Sequence, residues 1–137
     1  MSFDHNERMV LARLVDVLIP AADGFPSASE AGVCREGLDA VLAARPDLEA
    51  SLKDVLRKAA SGEPAQAIEV LRSRDAAAFG ALAEFAAAAY FMNPHVRQVI
   101  GYSGQNPHPI DPRPDYLDDD LLESVIRRGP IHRPTPG

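Results

Sequence analysis

"DAAAFGALAEFAAAAYFM", Asp75 to Met92, decides the fold. Ala, Leu and Phe fill it, with neither proline nor a β-branched residue, so it reads as a helix. Phe79, Leu82, Phe85, Ala86 and Ala89 recur on one side at the helical period. Alanine occupies much of the rest, which lets neighbours approach from several directions. A helix that is apolar nearly all round belongs inside, so this stretch is expected as the central helix of a bundle. Tyr90 and Phe91, at its end, are expected to reach outward.

Upstream the same period recurs. Asp4, with Glu7 three residues on, forms a capping-box pattern that opens a helix over Asp4–Ile19. Val10, Leu11, Leu14, Val15 and Leu18 share its inner face, and Pro20 ends it. The loop "PAADGFPSAS" follows, with Ser27 and Glu30 in a second capping-box spacing. A second helix is expected over Glu30–Ala44, with Val33, Leu38, Val41 and Leu42 turned inward. Pro46 starts a third, carrying Leu48, Leu52, Val55 and Leu56. Pro64 starts a fourth, carrying Ile68 and Leu71; these two read as a helical hairpin.

Downstream, Asn93-Pro94 is a helix start, with Asn as cap and Pro at the first helical position. That short helix stops at Gly101. Pro107, Pro109, Pro112 and Pro114 then exclude regular structure. Asp118, Asp119 and Asp120 open a last helix that runs to Arg128, and "GPIHRPTPG" is again extended. The expected architecture is all-α: a small helical bundle with a long proline-rich extended segment and an extended C-terminal tail. It is one domain, 1–137, with a helical core at 4–100, a strap at 101–117, a short helix at 118–128 and a tail at 129–137. Polyproline-like chain has no internal hydrogen bonds. Ile110, Tyr116 and Leu117 give the strap anchors that a plain linker would not need, so it packs on its own bundle, on a partner, or on both.

Bulk composition narrows the function. Aromatic content is 6% with no Trp, which suits an aliphatic, close-packed helical core. The net charge of -6 argues against nucleic acid, which is bound through clustered Lys and Arg. Arg127, Arg128, His132 and Arg133 are a local exception, read as cations complementing a helix C-terminus. No apolar run approaches the roughly 20 residues that cross a bilayer, so direct membrane insertion is not expected. Arg13 and Asp16 interrupt the apolar stretch near the start, unlike a signal peptide. As written, the chain is expected in the cytoplasm, or in the periplasm if an export signal was removed.

Catalytic patterns do not assemble. There is no phosphate-binding glycine loop. "GYSGQ" resembles a nucleophile elbow, but Gln105 stands where glycine is required and a helix precedes it; a hydrolase built on Ser103 is the least supported reading. His5, His95, His108 and His132 show no metal-ligand spacing, and the three aspartates point in different directions around a helix. Cys34 is alone and reads as a structural thiol. No catalytic, cofactor-binding or metal-ligating residue is therefore assigned.

Three stretches, taken together, resemble a known family. "LVDVLIPAADGFPSASEAGV" (Leu14–Val33) is a helix ending in Leu-Ile-Pro, an acidic Gly/Pro loop, then Ser-Glu-Ala-Gly-Val. "AYFMNPHVRQVIGYSGQ" (Ala89–Gln105) joins an aromatic pair to Asn-Pro-x-Val-Arg and Gly-Tyr-x-Gly-Gln. "YLDDDLLESVIRRGPIHRPTP" (Tyr116–Pro136) ends in Arg-Gly-Pro-Ile-x-Arg-Pro. In order and spacing they resemble the gluconate 2-dehydrogenase subunit 3 family, the small subunits of flavin-dependent sugar and alcohol dehydrogenases. The resemblance implies a helical subunit without a cofactor or catalysis of its own. It would bind a large FAD-containing subunit of the glucose-methanol-choline type, which oxidises the CH–OH group; related systems add a cytochrome subunit. Such small subunits often carry a twin-arginine signal; here two consecutive arginines occur only at 127–128. The expected role is therefore stabilisation of the large subunit rather than escort.

On that reading the partner interface comprises Tyr90, Tyr102, Ile110, Tyr116 and Ile131 as anchors, with Gly101 and Gly104 allowing tight turns and close backbone approach. Gln105, Pro130 and Pro134 flank them, and Arg133 pairs with a carboxylate or carbonyl of the partner. The alternative is a stand-alone helical binding module that closes its strap over a small ligand.

Overall fold

The first helix, α1 (His5–Leu18), begins where Asp4 can cap it. The Asp4 carboxylate accepts from the Glu7 amide at 2.8 Å, and the Glu7 carboxylate accepts from the Asp4 amide at 2.9 Å. Both halves of the expected capping box are thus made. The computed structural model describes residues 3–59, 62–107 and 122–131. The chain divides into two compact units, Met1–Gly104 and Gln105–Gly137. The first four residues of the expected strap therefore belong to the bundle unit.

In the bundle unit, α2 (Leu38–Ala44), α3 (Leu48–Ala59), α4 (Pro64–Arg74), α5 (Ala76–Met92) and α6 (Pro94–Val99) follow α1. The fold is all-α. Among the described residues no strand forms; one isolated bridge joins Ala22 and Phe25 across the Asp23-Gly24 turn. As expected, α5 is central: it packs on α1, α2, α3, α4 and α6. Ala78, Leu82, Phe85, Ala86, Ala89 and Tyr90 are its buried residues. Leu11, Leu14 and Val15 of α1, Leu48, Leu52, Val55 and Leu56 of α3, and Leu38, Val41, Ile68 and Leu71 of α2 and α4 pack with it in the aliphatic core.

The second expected helix is not continuous over Glu30–Ala44. The Ser27–Glu30 pair does form: the Ser27 amide donates to the Glu30 carboxylate at 2.7 Å. The turn it opens then stops, because Gly32 takes the left-handed conformation (φ 72°). The Gly32 amide donates to the Ser29 carbonyl and the Val33 amide to the Ala28 carbonyl, both at 3.0 Å. This pair of bonds is the Schellman closure of a helix end. A π-helical turn, Val33–Gly37, bridges to α2, with Arg35 far from helical geometry (φ -105°, ψ -113°).

One side chain gathers the carbonyls this kink frees. The Arg8 guanidinium donates to the carbonyls of Cys34 (3.0 Å), Arg35 (2.9 Å) and Phe3 (3.2 Å), and to Asp39 at 2.5 Å. A planar fork with five donors suits such a cluster. The loop before the kink is fastened to α1 as well. Asp16 accepts from the Ser29 amide at 2.7 Å and from its hydroxyl at 2.6 Å.

Candidate partner-docking face

Large apolar side chains left exposed among the described residues fall mostly in two short segments. Phe91, Met92, Val99, Ile100 and Tyr102 lie within 91–102, and Val125, Ile126 and Ile131 within 125–131; Met9, Val17 and Val70 are scattered. Single exposed apolar residues are ordinary, whereas a cluster marks a contact surface. The first segment spans the end of α5, the whole of α6 and the turn after it. A six-residue helix rises about 9 Å, so these five residues lie close together at one end of the bundle's described chain. The reason is local: among the described residues α6 buries only Val96.

This corner is firmly built. The Asn93 side-chain oxygen accepts from the His95 and Val96 amides (2.8 and 3.1 Å), which caps α6. Its side-chain NH2 donates to the Ala31 carbonyl at 2.8 Å, tying the α5–α6 junction to the kink at Gly32. At the far end Gly101 is left-handed (φ 71°). The Gly101 amide donates to the Gln98 carbonyl at 3.0 Å and the Tyr102 amide to the Arg97 carbonyl at 2.8 Å. This is again the Schellman pattern. A contact between the residues at its two ends usually accompanies it; here the Arg97 guanidinium stacks on the Tyr102 ring, 5.3 Å from its centroid. A groove of about 520 Å³ runs along Pro94, Arg97, Gln98, Gly101, Tyr102 and Ser103.

The expected interface residues divide accordingly. Gly101 and Tyr102 are exposed at this corner, Tyr102 by 51%. Gly104 is half-buried and left-handed (φ 92°), and a Cβ there would lie 3.5 Å from the Arg97 guanidinium. Gln105, Pro130 and Ile131 are exposed in the second unit. Ile110, Tyr116, Arg133 and Pro134 lie outside the described residues.

Tyr90 requires a correction: it is no surface anchor but 5% exposed, and its hydroxyl donates to the Pro26 carbonyl at 2.7 Å. Burial pushes its phenol pKa upward. The helical period explains this, since Tyr90 stands four residues after Ala86 and eight after Leu82, both buried. Phe91, one residue on, is rotated outward and is 55% exposed. Its ring meets the Tyr90 ring edge-on with centroids 5.6 Å apart.

Met92, Val99, Ile100 and Arg97 also belong to this face, beyond the residues expected from the sequence. Glycine at the end of a six-residue helix followed by an aromatic was the available signal for the Arg97–Tyr102 clasp. The Cys34 thiol is buried, and that burial pushes its pKa up to about 12, so it stays protonated and unreactive at neutral pH. Among the described residues no three of His, Cys, Asp and Glu gather as metal ligands would, and no helix is long and apolar enough to cross a membrane. Comparison with protein-family models, curated proteins and solved structures finds no match.

Proposed function

We propose that this chain is a non-catalytic accessory small subunit. It binds and stabilises a large FAD-dependent sugar or alcohol dehydrogenase or oxidase subunit of the glucose-methanol-choline type. The observation that carries the reading is the exposed apolar corner of Phe91, Met92, Val99, Ile100 and Tyr102. It coincides with "AYFMNPHVRQVIGYSGQ", one of the three stretches that resemble the gluconate 2-dehydrogenase subunit 3 family. Aromatic side chains beside an arginine are the composition of interface hot spots. The two caps that hold the corner rigid reduce the entropy lost on docking. The FAD and the oxidation belong to the partner, and this chain contributes surface.

The test is expression of the large flavoprotein subunit with and without this chain. Without it, the flavoprotein is expected to be poorly soluble and depleted of flavin; with it, a yellow heteromeric complex should elute together on gel filtration. Full solubility, flavin content and turnover of the flavoprotein alone would sink the proposal. Replacing Phe91 and Tyr102 together by Ser should break the complex while the bundle still melts cooperatively.

A further inference from the structure

A cavity of about 330 Å³ lies between α1 and the kinked segment. His5, Met9 and Ala12 line it from α1, and Ser29, Cys34 and Arg35 from the kink. Positions 5, 9 and 12 fall one helical turn apart, which puts them on one face of α1. Three of these side chains are soft or borderline metal donors: the Cys34 thiol, the Met9 thioether and the His5 imidazole. Cys34 is 4% exposed, and no described residue hydrogen-bonds its thiol. Oxygen donors nearby are already engaged. The Asp16 carboxylate is held by the amide and hydroxyl of Ser29, and the carbonyls of Cys34 and Arg35 by Arg8. Among the described residues His, Cys, Asp and Glu form no metal-binding trio by themselves; here the third donor is a methionine.

We propose that this cavity is a binding site for one soft monovalent metal ion, copper(I), with Cys34, Met9 and His5 as its ligands. Cys34 is the fixed donor, since Arg8 fastens its carbonyl and the next one. Met9 is unbranched and half-exposed, and His5 is exposed in the first turn of α1. Both can swing onto an ion seated at the Cys34 sulfur. As the sulfur–metal bond forms, the Cys34 S–H bond breaks and its proton leaves to solvent. The ion keeps its charge, and nothing is oxidised or reduced. Burial holds the free thiol's pKa up at about 12, but a thiol that coordinates a metal is deprotonated outright. Thiolate and monovalent cation sum to zero, so the cavity takes on no net charge. A divalent ion would leave a positive charge beside the Arg8 and Arg35 guanidinium groups. Zinc is disfavoured further because its usual ligands are thiolate, imidazole and carboxylate, not thioether. Calcium and magnesium require oxygen ligands. The site is independent of the accessory-subunit reading, because no partner enters it.

The experiment titrates the full chain with copper(I) under argon, in competition with a chromogenic copper(I) chelator. Cys34→Ala, Met9→Leu and His5→Gln are run beside wild type, and each metal-free variant is melted to confirm folding. Wild type should take one ion, gain a sulfur-to-copper absorption in the near ultraviolet, and melt at a higher temperature with copper than without. Cys34→Ala should abolish uptake. Met9→Leu and His5→Gln should each weaken it by at least the roughly tenfold that losing even an outer-shell partner costs. These two positions are exposed, so their variants decide the matter even if Cys34→Ala fails to fold. Equimolar zinc(II) should leave the copper in place. The assignment is overturned if the chelator strips all copper from wild type, or if zinc(II) displaces it. It is equally overturned if Met9→Leu or His5→Gln binds as tightly as wild type, which would mark an adventitious ion only, held by the thiol alone.

Discussion

Replacing Tyr90 by Phe separates a core role from an interface role. The substitution keeps the ring, which is 5% exposed, and removes only the hydroxyl that donates to the Pro26 carbonyl at 2.7 Å. A net intramolecular hydrogen bond contributes about 1 kcal/mol, and a fully buried carbonyl left without its donor would cost about 1–3 kcal/mol; the Pro26 carbonyl is part-buried, so the lower part of that range applies. About 1.5 kcal/mol is therefore the expected loss. For 137 residues at about 2.1 cal/mol/K per residue, that lowers the melting temperature by about 5 °C. Thermal unfolding followed by far-UV circular dichroism reads this directly. Binding to the proposed flavoprotein partner, measured well below the melting temperature, should be unchanged. Phe91→Ala is the mirror case: its ring is 55% exposed, so the melting temperature should move little while binding weakens. An unchanged melting temperature with lost binding for Tyr90→Phe would refute the core assignment, and with it the explanation by helical period.

Three further outcomes are expected. Arg8→Met removes the donors to the Phe3, Cys34 and Arg35 carbonyls and to Asp39; it should cost about 2–3 kcal/mol in urea unfolding, and a change below about 0.5 kcal/mol would show that water replaces the arginine. Gly101→Ala forces a side chain into a left-handed position (φ 71°) and should cost about 1–2 kcal/mol; hydrogen exchange of the Tyr102 amide should quicken, and unaltered protection would contradict the Schellman closure. Acid should lower the stability of the bundle through its paired carboxylates. Hydrogen bonds from Lys53 to Glu7, from Arg45 to Asp47, and from Lys58 to Asp54 and Asp75 hold all four carboxyls below their ordinary values. The unfolded chain then binds more protons than the folded one between the lowered values and about pH 4. This stability is complete above that range and lost as pH falls through the folded values. Melting temperature measured from pH 6 to pH 2 should drop most steeply there, and the drop should be shallower in Lys58→Met; an identical profile for that variant would exclude the Lys58 contribution.

The ends of the helices were legible because caps are local. Asp4 with Glu7, Asn93 with Pro94, and Pro64 each satisfy or remove the backbone donors orphaned at a helix start, and each does so within four residues of sequence. The kink at 32–37 is not legible in the sequence, for the opposite reason. Its freed carbonyls are gathered by Arg8, some 26–27 residues away in the chain, and no local pattern announces that partner. Gly32 was the visible hint, since a left-handed residue ends a helix that the Ser27–Glu30 box had begun. Tyr90 differs from its expectation because an aromatic near a helix end reads as a reaching side chain, whereas its phase relative to Leu82 and Ala86 places it inside.

From sequence alone follow the all-α class, the central position of Asp75–Met92 and the end of the short helix at Gly101. These depend on period, alanine content and backbone sterics, which act between near neighbours. Tertiary structure decided which end of each amphipathic element meets another. It buried Tyr90 against the Pro26 carbonyl, closed the Arg8 cluster around the kink, and left Phe91, Met92, Val99, Ile100 and Tyr102 uncovered at one corner. Burial of an apolar side chain is a relation between distant segments. The sequence marks a residue as apolar, and only the three-dimensional neighbourhood says whether another segment of the same chain covers it.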